Sequence, residues 1–320
     1  MMTRLAAVTG ATGFLGRYIV RALAVAGWRV RILARRSASH PQLAGLGIEA
    51  VSGDLSDRKA LHALLAGADA VVHAAGLIKA PSAAAFHAVN VAGTANLAAA
   101  IIDVAAAARV ILVSSMAARE PQLSAYARTK RAGEEVLTAA LGRHTAWTVV
   151  RPSAIYGPWD EETLAVFRAI GRRIALRPRV ANAHVALIHA SDAAAAIAAL
   201  ADRGPAGTIL ELADERTEGY SWEEIIAAAA TALGVEAIAI PLPGILIRAG
   251  AAINVAASWV LRRTPMLTPG KAREILHADW GSTAERQPPG DLWRPAIALS
   301  RGLRDTVSWY RERRLLPLAA

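Results

Sequence analysis

Through residue 158 the chain alternates short apolar runs with helix-patterned stretches, and this alternation narrows the fold more than any other feature. "RLAAVTG", "RVRILAR", "GIEAVSGDL", "ADAVVHAAG", "RVILVSS" and "AWTVVRPSAIYGP" read as six strands. "LGRYIVRALAVAG", "RKALHALLAG", "NVAGTANLAAAIIDVAA" and "SAYARTKRAGEEVLTAAL" read as helices between them. Strands separated by helices at this spacing form right-handed βαβ units and a parallel sheet. Strands apolar on both faces imply a sheet covered on both sides. The expected class is therefore α/β, a doubly wound parallel sheet.

The second half is less regular. "ASDAAAAIAALAD" reads as a helix capped by Ser191 with Asp192 in its first turn, "GTILELAD" as a further strand, and "SWEEIIAAAATALG" as another capped helix. From Pro241 onward the chain is rich in Pro, Gly, Trp and Arg. The division drawn from this pattern is a nucleotide-binding domain over 1–152, completed by about 180–214. A smaller C-terminal substrate lobe would comprise 153–179 and 215–320.

Composition excludes several classes. With 54% hydrophobic and 19% charged residues, disorder is ruled out. The absence of Cys removes disulfides, thiolate catalysis and Cys-based metal sites, and no metal is expected. The N-terminal apolar run is too short for a secretory signal, so a cytoplasmic location is expected. The net charge is +10, with a dense patch at "RGLRDTVSWYRERR" (301–314). That patch reads as a solvated helix face with Trp309 and Tyr310 inward, not as a nucleic-acid site. The stretch 244–261, "GILIRAGAAINVAASWVL", is apolar but carries Arg248 and Asn254. It reads as a buried or amphipathic helix, with membrane-surface contact as the lesser alternative.

The first strand runs into "TGATGFLGR", with Gly10, Gly13 and Gly16 at the turn into a helix. The first glycine makes the tight turn, the second admits a pyrophosphate, and the third lets helix and strand pack closely. Free N–H groups at the helix start favour an anion. An NAD-type site usually places an acidic residue at the end of the second strand. Here no acidic residue precedes Glu49, and Arg35 and Arg36 stand at that strand end. Guanidinium groups there suit a 2′-phosphate, so NADP is expected over NAD.

"VSSMAAREPQLSAYARTK" (113–130) places a Ser pair at the end of the fifth strand, then Tyr126 and Lys130. At i and i+4 on a helix they share one face. A neighbouring ammonium favours the phenolate, so Tyr126 is expected to exchange a proton near neutral pH.

The G-x-x-G-x-x-G turn, the Tyr-x-x-x-Lys pair, "NVAGTANL", "VVRPSAIYGP", "LIHASDAAAAI" and the terminal "GLRDTVSWYRER" together resemble the extended short-chain dehydrogenase/reductase superfamily over nearly the whole chain. The resemblance leans toward the 3β-hydroxysteroid dehydrogenase and dihydroflavonol reductase branch. It implies a Rossmann-type domain and hydride exchange between NADP(H) and a secondary alcohol or ketone. It implies Ser115, Tyr126, Lys130 and Asn90 as the catalytic set, Asn90 ordering the Lys. Cofactor contacts are implied at Gly10, Thr12, Gly13, Phe14, Leu15, Gly16, Arg35, Arg36, Asp54 and Leu55. Others are implied at Ala74, Ala75, Gly76, Ser114, Tyr126, Lys130, Pro152, Ser153 and Ile155. Tyr156 and His189 read as structural, and a homodimer is a further expectation.

The family usually carries a longer segment between Ser and Tyr, one that helps wall the substrate site. Here ten residues intervene between Ser115 and Tyr126, so a more open rim is expected. Two alternatives remain at this stage. A nucleotide-sugar epimerase would hold its cofactor tightly; a dehydratase would favour acidic residues after the Ser, where Met116, Ala117 and Ala118 stand. A non-catalytic nucleotide-binding subunit would usually lack the Tyr–Lys pair.

Overall fold

The computed structural model describes residues 4–35, 39–260, 265 and 267–317. Two compact units emerge. The first comprises Met1–Pro152, Ala193–Glu211 and Pro288–Trp293; the second comprises Ser153–Asp192, Leu212–Gln287 and Arg294–Ala320.

The first unit opens with β1 (Leu5–Thr9), α1 (Phe14–Val25), β2 (Arg29–Ala34), β3 (Glu49–Ser52), α2 (Arg58–Leu65) and β4 (Ala70–His73). A continuous helical stretch follows: α3 (Ala83–His87), a π-helical turn (Ala88–Ala92) and α4 (Gly93–Val104). Then come β5 (Arg109–Val113), a 3₁₀ turn (Met116–Arg119), α5 (Ala125–Leu141) and β6 (Trp147–Pro152). The pairs β1–β2, β2–β3, β1–β4, β4–β5 and β5–β6 are all parallel. Every residue of β1 and β4 is buried, as a sheet covered on both faces demands. Leu61, Leu64, Leu97, Ile101, Leu137 and Leu141 pack from α2, α4 and α5 against strand residues such as Val71, Val110 and Val149. Each such side chain contributes about 1.5–3 kcal/mol by leaving water. The stretch 83–104 is long and apolar enough to cross a membrane, but half of it lies inside this unit.

Beyond Pro152 the structure departs from the sixth-strand reading. Instead of one strand over "AWTVVRPSAIYGP", the chain breaks at Ser153, and β7 (Ala154–Tyr156) pairs in parallel with β10 (Leu187–His189). Between them lie α6 (Leu164–Gly171), β8 (Ile174–Pro178) and β9 (His184–Val185). Helix α7 (Ala190–Arg203) and β11 (Thr208–Leu212) follow, and β11 completes a seven-stranded sheet of order β11-β6-β5-β4-β1-β2-β3. This is the Rossmann-type architecture expected. Ser191 is not the cap of α7, which already begins at Ala190. Asp192, in its first turn, accepts the Ala296 and Ile297 backbone N–H groups at 3.1 and 2.8 Å, tying down the C-terminal segment.

The remainder of the second unit comprises α8 (Trp222–Leu233), β12 (Ile238–Leu242), α9 (Gly244–Val260), α10 (Pro269–Ile275), β13 (Asp279–Trp280) and α11 (Leu299–Glu312). Ser221 and Glu224 close a capping box on α8, whose Gly234 C-cap is left-handed. The unit's core joins Tyr156, Phe167, Ile170, Ile226, Leu233 and Val307. In α11, Leu303, Val307 and Tyr310 point inward, so the basic patch at 301–314 is the outer face of an amphipathic helix.

Candidate active site

The glycine turn lies between β1 and α1, as its spacing requires. Gly10 sits at φ +72°, where a Cβ would stand 2.4 Å from the Ala75 nitrogen. A Cβ on Gly16 would stand 2.0 Å from the Gly10 carbonyl oxygen, so α1 is clenched onto the turn. Gly13, the N-cap of α1, would meet only the Gly10 oxygen, at 3.3 Å. Among the described residues no side chain caps α1, and its first turn holds no acid. The Gly13 N–H closes the turn onto the Gly10 carbonyl at 3.0 Å, and the N–H groups of Phe14 and Leu15 at the start of α1 form the anion cradle. Thr12 gives its carbonyl to Arg17 Nη1 at 2.7 Å, fixing the loop from behind. These residues fit the diphosphate of a dinucleotide.

Arg35 is exposed just past β2, and Arg36 lies outside the described residues. The one carboxylate on the neighbouring strand, Glu49, is bound by Arg29 and, at 2.9 Å, by Arg31. Those hydrogen bonds, Arg29's first, hold its pKa below the usual value. Asp54 accepts the Ser56 N–H at 2.8 Å and its hydroxyl at 2.6 Å, and these bonds keep it ionised to lower pH. Leu55 packs where a Cβ on Gly93 would fall, and its carbonyl accepts from Asn96 at 2.9 Å.

At the C-terminal ends of the central strands a directional polar chain assembles. Thr94 spends its hydroxyl proton on the Asn90 carbonyl at 2.9 Å. Nε2 of His73, 2.9 Å from Thr94 Oγ1, therefore donates to it, and Nδ1 accepts from Thr9 Oγ1 at 2.6 Å. Burial drives the His73 pKa down to about 3, so the ring stays neutral. Asn90 lies in the π-helical turn, a distortion that often marks functional positions. Its amide donates to the Leu77 carbonyl and Thr129 Oγ1, both at 3.1 Å, and accepts the Leu77 N–H at 2.8 Å. Gly133 lets α5 approach closely here, since a Cβ would lie 2.5 Å from the Asn90 carbonyl.

Ser124 caps α5 by accepting the Ala127 N–H at 2.9 Å, and Tyr126 and Lys130 follow on one helix face. Lys130 Nζ donates to the Val113 carbonyl at 2.7 Å, at the end of β5. Burial lowers its pKa to about 8, with Glu134 acting in the opposite direction. The half-buried Tyr126 ring packs against Phe86, centroids 6.1 Å apart. Ser115 caps the 3₁₀ turn by accepting the Ala117 N–H at 3.2 Å, which leaves its own proton to donate. Ser114 Oγ is buried without a hydrogen-bond partner among the described residues. It lines a cavity of about 10 Å³, the room of one water, together with Ala75, Asn90, Thr94 and Lys130.

The structure thus brings Asn90, Ser114 and Lys130 to one cavity, with Ala75 in its wall; Ala74 backs Gly10, and Gly76 lies beside Asn90 and Lys130. Pro152 ends β6. Ser153 and Ile155 belong to the second unit, where the Ser153 N–H donates to the Leu212 carbonyl at 2.9 Å and Ile155 pairs with Ile188. Two features were not singled out from sequence. One is the Thr9–His73–Thr94 chain. The other is the buried fork from Arg151 to Glu134, 2.9 and 2.6 Å, which locks β6 to the helix bearing Tyr126 and Lys130. Glu134, at i+4 from Lys130 and facing "VVRP", was the available signal.

The model of the NAD dependent epimerase/dehydratase family matches residues 6–213. The chain belongs to this family. It is an NAD(P)-dependent enzyme of the short-chain dehydrogenase/reductase type. It is 46% identical over 314 residues to a ceramide reductase of Caulobacter vibrioides, covering 97% of this chain and 96% of that protein. It is 28% identical to a putative dihydroflavonol 4-reductase of Synechocystis, covering 95% and 94%. Its fold is similar to the crystal structure of gox2253, with a TM-score of 0.74 and 23% identity over 97% of this chain and 98% of that one.

Proposed function

We propose that this protein is an NADP(H)-dependent carbonyl reductase acting on a ketone of ceramide-type lipid chemistry. The observation that carries the reaction type is Lys130, held by the Val113 carbonyl one helical turn from Tyr126. A fixed ammonium there favours negative charge on the phenol oxygen as its proton leaves. Tyr126 gives that proton to the carbonyl oxygen, and Ser115 hydrogen-bonds the same oxygen. Asn90 acts as a positioning residue: it pins the Leu77 loop and Thr129, and through them the start of α5. The bound cofactor supplies the hydride. Gly10, Gly13 and the α1 N-terminus would hold its diphosphate, and Arg35 with Arg36 its 2′-phosphate.

The substrate class rests on similarity to the Caulobacter ceramide reductase along nearly the full length of both chains. Reduction by this chemistry converts a ketone to a secondary hydroxyl, so the substrate is the keto counterpart of a ceramide hydroxyl. Purified protein should oxidise NADPH with a keto-ceramide and not with UDP-sugars, followed by absorbance and product mass. Turnover of UDP-sugars with retained cofactor would replace the reductase reading with an epimerase one.

A further inference from the structure

The second unit carries an inverted strand pair. β8 and β12 run parallel, with Ile238 opposite Ile174 and Ile240 opposite Leu176. These four aliphatic residues face outward, exposed by 71, 52, 40 and 62% in that order. The inward positions are held by small residues, Ala175 and Ala239, which pack on the unit's core. A sheet that faces water normally puts its large apolar residues inside.

Two residues after β12 ends, α9 continues the pattern. Ile247, Ala251 and Ser258 are buried at helical spacing. The opposite side shows Ile245, Leu246 and Ile253 to solvent, with Val255 and the exposed Arg248 on the flank of the buried stripe. This corrects the reading of 244–261 as a buried or amphipathic helix, because the outward face is apolar too.

The charge around these residues leans cationic, although Arg177 pairs with Glu223 at 2.8 Å, Lys271 with Glu274 at 3.0 Å, and exposed Glu236 stands two residues before Ile238. Residues 163–191 and 237–273 supply all eight aliphatics. Each stretch carries five Lys or Arg and neither carries an Asp or Glu. Exposed Arg172, Arg173 and Arg179 flank β8.

We propose that this face, β8–β12 with α9, seats the protein on the surface of an anionic lipid bilayer. Aliphatic side chains at an interface with surrounding arginines match acyl chains beneath negatively charged headgroups. Arg248 extends its stem along the apolar layer and places its guanidinium among the headgroups. A second copy of this chain is the weaker occupant, because a two-fold contact would oppose one cationic patch to itself. The inference stands on the second unit alone and is independent of the substrate assigned above.

Vesicle flotation with the full chain tests it. Wild type should float with phosphatidylcholine vesicles containing phosphatidylglycerol and stay behind with pure phosphatidylcholine. Half a molar NaCl should reduce the bound fraction severalfold. Ile238→Asp with Ile245→Asp should reduce binding at least tenfold while thermal midpoint and turnover of a short soluble ketone stay at wild-type values. Four results overturn the proposal: no flotation with anionic vesicles, equal flotation with neutral ones, binding that survives both aspartates, or a dimer in light scattering that those aspartates dissolve without any vesicle binding.

Discussion

The two units spend their apolar residues in opposite ways. In the first, strands β1 and β4 are buried at every position, and the large aliphatics of α2, α4 and α5 pack onto the sheet. In the second, β8 and β12 turn alanines inward and isoleucines and a leucine outward. Buried polar groups differ as well. In the first unit Thr9, His73, Thr94 and Asn90 are chained into directional hydrogen bonds, while Ser114 Oγ stands without a partner among the described residues. In the second, Tyr156 Oη and His189 Nε2 are buried without partners among the described residues. The lesson is that one unit is optimised to hold a few atoms in place, whereas the other carries a surface whose composition suits contact with something apolar.

The sharpest test of the first unit's role is Tyr126→Phe. It should lower kcat about 10³-fold while NADPH binding, followed by fluorescence, is retained. Turnover within threefold of wild type would remove Tyr126 from the chemistry. Next, Glu134→Gln breaks the buried fork and leaves Arg151 unmatched. A loss of about 3 kcal/mol in urea unfolding is expected, with a lower kcat as α5 loosens. A loss below about 0.5 kcal/mol would show that the fork does not anchor that helix.

In the second unit, burial raises the Asp214 pKa to about 6, although Tyr220 donates to it at 2.9 Å. A carboxyl whose folded pKa lies above its unfolded value of about 3.9 stabilises the fold most below that unfolded value. That contribution fades as pH rises through 6. Asp214→Asn should therefore remove a decline of about 2 kcal/mol between pH 4 and 7 in unfolding titrations. An unchanged pH profile would place the carboxyl's titration elsewhere. The smallest effect concerns cofactor choice: Arg35→Ala with Arg36→Ala should raise KM for NADPH about tenfold relative to NADH. Parallel changes for both cofactors would exclude a 2′-phosphate contact.

Much of the first unit was readable from sequence because its signals are local. The glycine spacing of 10, 13 and 16 reports a turn that tolerates no Cβ at its clenched points. The i, i+4 spacing of Tyr126 and Lys130 reports a helix face. Strand-and-helix alternation reports the sheet. The contacts that complete the site are not local. Arg151 meets Glu134 only once α5 has packed back on β6, and Thr9 meets His73 only once β1 and β4 are neighbours. The pairing of Ala154–Tyr156 with Leu187–His189 was not legible, because periodicity cannot show that a chain changes sheets. The second unit was least legible for a related reason. Its strands are short and paired in twos, and their outward aliphatics mimic a buried pattern.

The brief passage from Ser115 to Tyr126 has a practical side. Met116, Ala117 and Ala118 are buried in the 3₁₀ turn, and Ser124 already caps α5, so residues 120–123 form the adjustable part of the connection. Lengthening a flexible loop costs little, about 0.6 kcal/mol per doubling. This connection is accordingly a natural graft point: a loop taken from a longer relative could be spliced there, to redesign selectivity, without disturbing the strand or the helix that hold the proton-transfer residues.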